Sequence, residues 1–168
     1  MLFLIGFMGA GKTTLGKQLA SKLGWDFLDL DEQIESEEGM PVTELFARHG
    51  EGWFRRRERI ALEALKHEAA SGLVVACGGG TPCYGDNMDW LNAQGITVYL
   101  RVPAPELVSR LLPQRAHRPM ISSVAPEALE THIAVLLGIR EPYYLRAQHI
   151  LNPEQQTLEA LAAIAIGA

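Results

Sequence analysis

The chain has 168 residues, 48% of them hydrophobic and 21% charged, with a formal net charge of −5. That length fits one domain with its own core, and the acidic balance counts against nucleic acid, whose phosphates demand a basic face. No apolar run approaches membrane-spanning length, and Cys77 and Cys83 are too few for a disulfide scaffold or a zinc site. With no basic segment ahead of MLFLIG to act as a secretory signal, a cytoplasmic protein is expected.

Met1–Ile5 (MLFLI) is an apolar run of the kind that forms a buried strand. GFMGAGKTT follows, in which Gly6, Gly11, Lys12 and Thr13 fill the pattern Gly, four free positions, Gly, Lys, Ser or Thr. Leu15, Leu19 and Leu23 then recur at helix spacing. Strand, glycine turn and helix are the context a phosphate loop requires. Glycines let successive N–H groups turn inward onto phosphate oxygens, and the helix beginning near Lys12 adds its positive end. The stretch Gly9, Ala10, Gly11, Lys12, Thr13 and Thr14 is therefore expected to hold a nucleoside triphosphate. Lys12 would reach the β- and γ-phosphates and the Thr13 hydroxyl would ligate Mg²⁺.

The next strand, Phe27–Leu30, leads into FLDLDEQIE. If Asp29 and Asp31 both stay extended, they share one face, one carboxylate for hydrated Mg²⁺ and the other for an acceptor hydroxyl. Alternatively Asp31 caps a helix over Asp31–Glu38. Helical patterns follow at Val42–Arg48 and Phe54–Ala70, the latter preceded by GEGW. Arginine beside an aromatic, with Glu58 to orient it, suits a carboxylate-bearing ring, although a solvated helix would show the same residue types. After the strand Leu73–Cys77 come Gly78, Gly79 and Gly80, which imply a tight turn or a close ligand approach.

A fourth strand at Ile96–Leu100 and a helix at Ala104–Leu112 lead into RLLPQRAHRPMI, Arg110 to Ile121. Pro113 and Pro119 interrupt this segment while Arg110, Arg115 and Arg118 cluster in it, the make-up of a cationic lid or of a basic surface loop. Pro126–Tyr144 reads as a helix, His149–Leu151 as a strand and Pro153–Ile166 as a final helix. Strands alternating with helices predict a parallel sheet covered on both faces, with ligands beyond the carboxyl ends of its strands.

Six of these segments, in order, resemble shikimate kinase from Met1 to about Ala147: GFMGAGKTT, DLDEQIE, GEGWFRRRE, CGGG, RPMI and REPYY from Arg140. The resemblance implies the α/β fold of the nucleoside monophosphate kinases, three α/β/α layers around a five-stranded parallel sheet in the order 2-3-1-4-5. It implies a single domain over residues 1–168, an acceptor-binding region at about 31–60 and a lid at about 110–124. The activity implied is ATP- and Mg²⁺-dependent phosphorylation of the shikimate 3-hydroxyl, a step towards chorismate and the aromatic amino acids.

By the same resemblance Asp31, Arg55, Gly79 and Arg140 bind shikimate, the two arginines taking its carboxylate. Asp29 reaches Mg²⁺ through water and Thr13 ligates it directly. Lys12 and Arg118 act on the transferring phosphate, and Phe46 and Phe54 wall the acceptor pocket. For direct in-line transfer Asp31 is the carboxylate best placed to accept the hydroxyl proton, as general base or as an orienting acceptor. The adenine loop is short here (HILNPEQQT), with Gln155 its candidate contact. Shikimate is the expected small-molecule partner, with no nucleic acid or membrane, and a monomer is expected. Gluconate kinase and a non-catalytic homologue are the rivals. The triple glycine with Arg55 and Arg140 counts against the first, and intact Lys12, Thr13, Asp31 and Arg118 against the second.

Overall fold

The computed structural model describes residues 1–65, 72–113 and 120–167. Five short runs pair as strands: Leu2–Ile5 (β1), Asp26–Asp29 (β2), Leu73–Ala76 (β3), Ile96–Leu100 (β4) and His149–Leu151 (β5). All pairings are parallel and the order is β2-β3-β1-β4-β5, as expected. In β1 and β3 all four residues are buried, because helices cover both faces of the sheet and neither face can carry a polar side chain. The register sets Leu4 opposite Ala76 on one side and Val98 on the other. The carboxyl ends of the three central strands therefore open together.

The helices are Lys12–Leu23 (α1), Leu30–Glu38 (α2), Val42–His49 (α3), Glu51–Ala64 (α4), Asn87–Gln94 (α5), Ala104–Leu111 (α6), Leu129–Tyr144 (α7) and Leu158–Ile166 (α8). Glycine at Gly24 ends α1 in the left-handed region, its N–H returning to Ala20 O, and Gly39 ends α2 in the same way. The helix α1 lies unusually close to the sheet: a Cβ at Gly16 would stand 2.6 Å from the Phe27 ring and 3.2 Å from Leu4. That approach seats the phosphate loop above the central strand. No described helix is long and apolar enough to cross a membrane.

Several boundaries differ from expectation. The strand β2 ends at Asp29, its last residue paired with Ala76, and Leu30 already belongs to α2. The helix α4 begins at Glu51 rather than Phe54, since Gly50 with φ 78° makes the break three residues earlier. Its expected continuation to Ala70 falls on residues 66–70, outside those described. The helix α5 was not foreseen; Trp90 seats it against Phe3 in an edge contact at 6.2 Å. The final helix begins at Leu158, capped by the Thr157 hydroxyl, and Pro153–Gln155 is a separate 3₁₀ turn.

Gly16→Val should lower stability by about 1–3 kcal/mol through overpacking between α1 and β2. Urea unfolding checks this, and an unchanged midpoint would contradict the close seating of α1.

Candidate active site

The phosphate loop is built on glycines in backbone regions that side chains avoid: Gly6, Gly9 and Gly11 have φ of 139°, 79° and 95°. A Cβ at Gly6 would also stand 2.8 Å from the Leu100 carbonyl. Lys12 is buried beneath the loop, its ammonium donating to the Gly6 and Phe7 carbonyls at 2.9 Å each. The Thr13 hydroxyl donates to Asp29 Oδ2 at 2.6 Å. Two hard oxygen donors thus stand together at the start of α1, a donor set suited to Mg²⁺.

Asp29 also caps α2, its Oδ1 accepting from Asp31 N at 3.1 Å and Glu32 N at 3.4 Å. This corrects both readings of the acidic pair: the two carboxylates do not share an extended strand, and the capping residue is Asp29, not Asp31. Asp31 stands in the first turn of α2 and reaches the same cleft from there.

That cleft, of about 870 Å³, is lined by residues from Met8 to Leu15 and by Asp29, Asp31, Gly78 and Gly79. It therefore gathers the sequence-predicted Gly9, Ala10, Gly11, Lys12, Thr13 and Thr14 with both carboxylates. Arg110, Pro153 and Gln156 also line it. Gln155 does not: its side chain accepts from Asn152 N at 3.0 Å in a capping box. The Gln156 amide donates to the Arg101 and Leu151 carbonyls. Arg115 and Arg118 lie outside the described residues.

Beside the phosphate loop lies a charged cluster wrapped around the triple glycine. Glu58 is fully buried; its Oε2 accepts from Arg55 Nη1 at 2.6 Å and its Oε1 from the Thr81 hydroxyl. Arg55 is buried as well and donates twice more to Glu51. Its guanidinium lies 5.9 Å from the centres of the Phe46 and Phe54 rings, which themselves meet at 4.7 Å. Arg140, also buried, stands over Phe7 at 5.7 Å. Tyr144 donates to the Gly79 carbonyl at 2.5 Å.

The three glycines turn out to be needed for space, not for backbone conformation, since none of them has positive φ. A Cβ at Gly78 would stand 2.7 Å from Glu58 Oε1 and 2.8 Å from Asp31 Oδ1. At Gly80 it would stand 2.1 Å from Arg55 Nη2, and at Gly79 3.2 Å from Met8 N and 3.5 Å from Arg140 Nη1. Each missing side chain makes room for a charged group or a loop amide.

Asp31 is the unusual member. Its Oδ1 is buried with no hydrogen-bond partner. Burial, followed by the charges of Glu58 and Asp29, pushes its carboxyl up to about 7, against the pull of Lys12 and Arg55. Burial also pushes Glu58 up, opposed by Arg55, the Thr81 hydrogen bond and Arg140. A carboxyl poised near neutrality between a phosphate loop and buried arginines has the properties of a proton acceptor.

A phosphate loop after the central strand, beside a cluster of buried charge, has the make-up of a phosphate-loop kinase of small molecules. The shikimate kinase family model matches residues 8–166, and the chain belongs to that family. It is 42% identical over 161 residues to the shikimate kinase of Parabacteroides distasonis, covering 95% of this chain and 91% of that one. The solved shikimate kinase of Bacteroides thetaiotaomicron superposes with TM-score 0.84 at 41% identity, over 92% of this chain and 86% of that one. The Acinetobacter baumannii enzyme in complex with shikimate gives the same TM-score at 36% identity, over 96% and 87%. A gluconokinase from Sinorhizobium meliloti shares the fold more distantly, with TM-score 0.53 and 20% identity over 99% and 89%.

Because folding raises the Asp31 pKa from 3.8 to about 7, the folded protein holds a proton that the unfolded chain releases. The stability this supplies is present at low pH and is lost as pH rises through about 7. Asp31→Asn should therefore stabilise the protein by about 2 kcal/mol or more at pH 8, the gain vanishing near pH 4. Thermal melts at the two pH values check it; a gain that does not depend on pH would contradict the raised pKa.

Proposed function

We propose that this protein transfers the γ-phosphoryl group of MgATP to the 3-hydroxyl of shikimate. The observation that carries this reading is the unpartnered Asp31 carboxylate oxygen between the phosphate loop and the cluster holding Arg55. Arg55 and Arg140 would take the acceptor's carboxylate, the backbone at Gly79 and the Asp31 side chain its hydroxyls, and Phe46 and Phe54 its ring. Asp31 would accept the proton of the attacking hydroxyl.

Lys12 and the loop amides would hold the phosphates, and Thr13 with Asp29 would hold Mg²⁺, Asp29 through water. The ion would supply charge neutralisation at the β- and γ-phosphates. Arg110 and Pro153 line the cleft where Gln155 does not, and would be the better candidates to meet the base. Arg118 would bring positive charge to the transferring group from a lid at about 110–124. Phosphoryl transfer needs positioning and charge neutralisation, so no covalent nucleophile is required.

We read residues 1–168 as one domain acting as a monomer in the cytoplasm, with its acceptor-binding region at about 31–60 and no nucleic-acid or membrane partner. The product, shikimate 3-phosphate, would feed chorismate and aromatic amino acid synthesis.

ADP release with MgATP, comparing shikimate, gluconate and no acceptor, tests the reading. Release should require shikimate, stop when EDTA removes Mg²⁺, and fall at least ~100-fold in Asp31→Asn. Release with gluconate alone would overturn the acceptor assignment. Arg118→Ala should lower kcat by at least ~10-fold with little change in shikimate affinity. A loss confined to shikimate affinity would reject its role at the phosphate.

A further inference from the structure

A hydrogen-bonded chain runs behind the acceptor pocket that the catalytic roles above do not use. It leaves α4 at Arg59, whose Nη1 donates to Asn87 Oδ1 at 3.0 Å. The Asn87 amide donates to the Thr81 carbonyl at 2.9 Å, and Thr81 is fully buried. Through its hydroxyl the chain returns to α4 at Glu58, the residue next to its start. Glu58 in turn grips Arg55.

The consequence lies in how Arg55 is shared. It is held by two carboxylates of opposite exposure: Glu58, with no side-chain surface exposed, and Glu51, with 53%. Arg55 faces the pocket only while the inner partner holds its place. Glu58 Oε2 belongs to Arg55, so Thr81 is the donor that fixes the other oxygen. Without the hydroxyl, Oε1 would be a buried acceptor lacking its donor, a costly arrangement that a side-chain rotation relieves. Rotation of Glu58 would loosen its grip on Nη1 and leave Arg55 to the exposed Glu51.

We propose that Thr81 is a positioning residue for the acceptor: its hydroxyl anchors Glu58, and Glu58 aims Arg55 at the substrate carboxylate. This rests on the reading that Arg55 receives that carboxylate. The hydrogen bonds of Thr81 run to Glu58, Asn87 and Gly78 rather than to the phosphate loop or the donor pair Thr13 and Asp29, so the effect falls chiefly on acceptor affinity. Losing a binding contact made equally in ground and transition states raises KM and leaves kcat alone.

The test compares Thr81→Val, which keeps the shape and removes the donor, with Thr81→Ser, which keeps the donor. Shikimate binding is read by calorimetry, and KM and kcat for both substrates by ADP release. Thr81→Val should weaken shikimate binding and raise its KM by about tenfold or more. Its kcat and ATP KM should stay within ~2-fold of the parent, and Thr81→Ser should restore shikimate affinity to within ~3-fold. Equal weakening in both variants, unchanged affinity in Thr81→Val, or a parallel fall in kcat would overturn the proposal. If Thr81→Val does not fold, Thr81→Ala provides the donor loss against the same serine comparison. A parent protein that binds no shikimate overturns the functional reading and this inference with it; a parent that binds while Thr81→Val is unaffected overturns the inference alone.

Discussion

A glutamate with none of its surface exposed cannot be left unpaired, and Glu58 sets the terms for the charged cluster proposed to hold the acceptor. Its two oxygens need two donors; they find Arg55 on the same helix and Thr81 on the turn after β3. Burial of the pair demands space, and Gly78 and Gly80 supply it by carrying no side chain. A buried ion pair of this sort gives little net stability, because desolvation offsets most of the attraction. What it gives is a guanidinium whose orientation is set before any ligand arrives, which lowers the ordering cost of binding.

The phosphate half is organised by a second short contact, that of Thr13 with Asp29. Asp29 does three things at once. It ends β2, caps α2 and presents an oxygen beside the phosphate loop. Capping from Asp29 turns the chain so that Asp31 enters the cleft one helical step later. The order β2-β3-β1 brings the halves together, because the ends of those three neighbouring strands carry the acidic pair, the triple glycine and the phosphate loop. The raised pKa of Asp31 follows from this convergence of carboxylates in a buried place. It is a local instability that the surrounding fold sustains at a functional position.

Much of the fold was legible in the sequence, for physical reasons. The three central strands, covered on both faces, read as continuous apolar runs, and the two more exposed edge strands were located as well. The phosphate loop declares itself because its glycines are required by backbone geometry. Other features depended on distant contacts. Whether Asp29 or Asp31 caps α2 is decided by where pairing with β3 stops, at Ala76, and nothing adjacent in sequence marks that point. The triple glycine was legible as a place needing room, but the atoms that need it belong to Arg55 and Glu58, far away along the chain. Helix α5 is short, and its seat depends on Trp90 meeting Phe3. Gln155 and Gln156 are neighbours of one type, separated in role by a 3₁₀ turn that points one at its own backbone and the other along the cleft. Thr81 left no signal, since a threonine after a glycine run is unremarkable until Glu58 is found against it.

The central claim of the proposed function is that Arg55, held by Glu58 before nucleotide binds, and the buried Arg140 select a carboxylate-bearing acceptor. Calorimetric titration of the nucleotide-free protein with shikimate and with its methyl ester tests this most directly. The account predicts measurable shikimate binding and at least ~10-fold weaker binding of the uncharged ester, since a charge-assisted bidentate contact is lost. Equal affinity for acid and ester would contradict it.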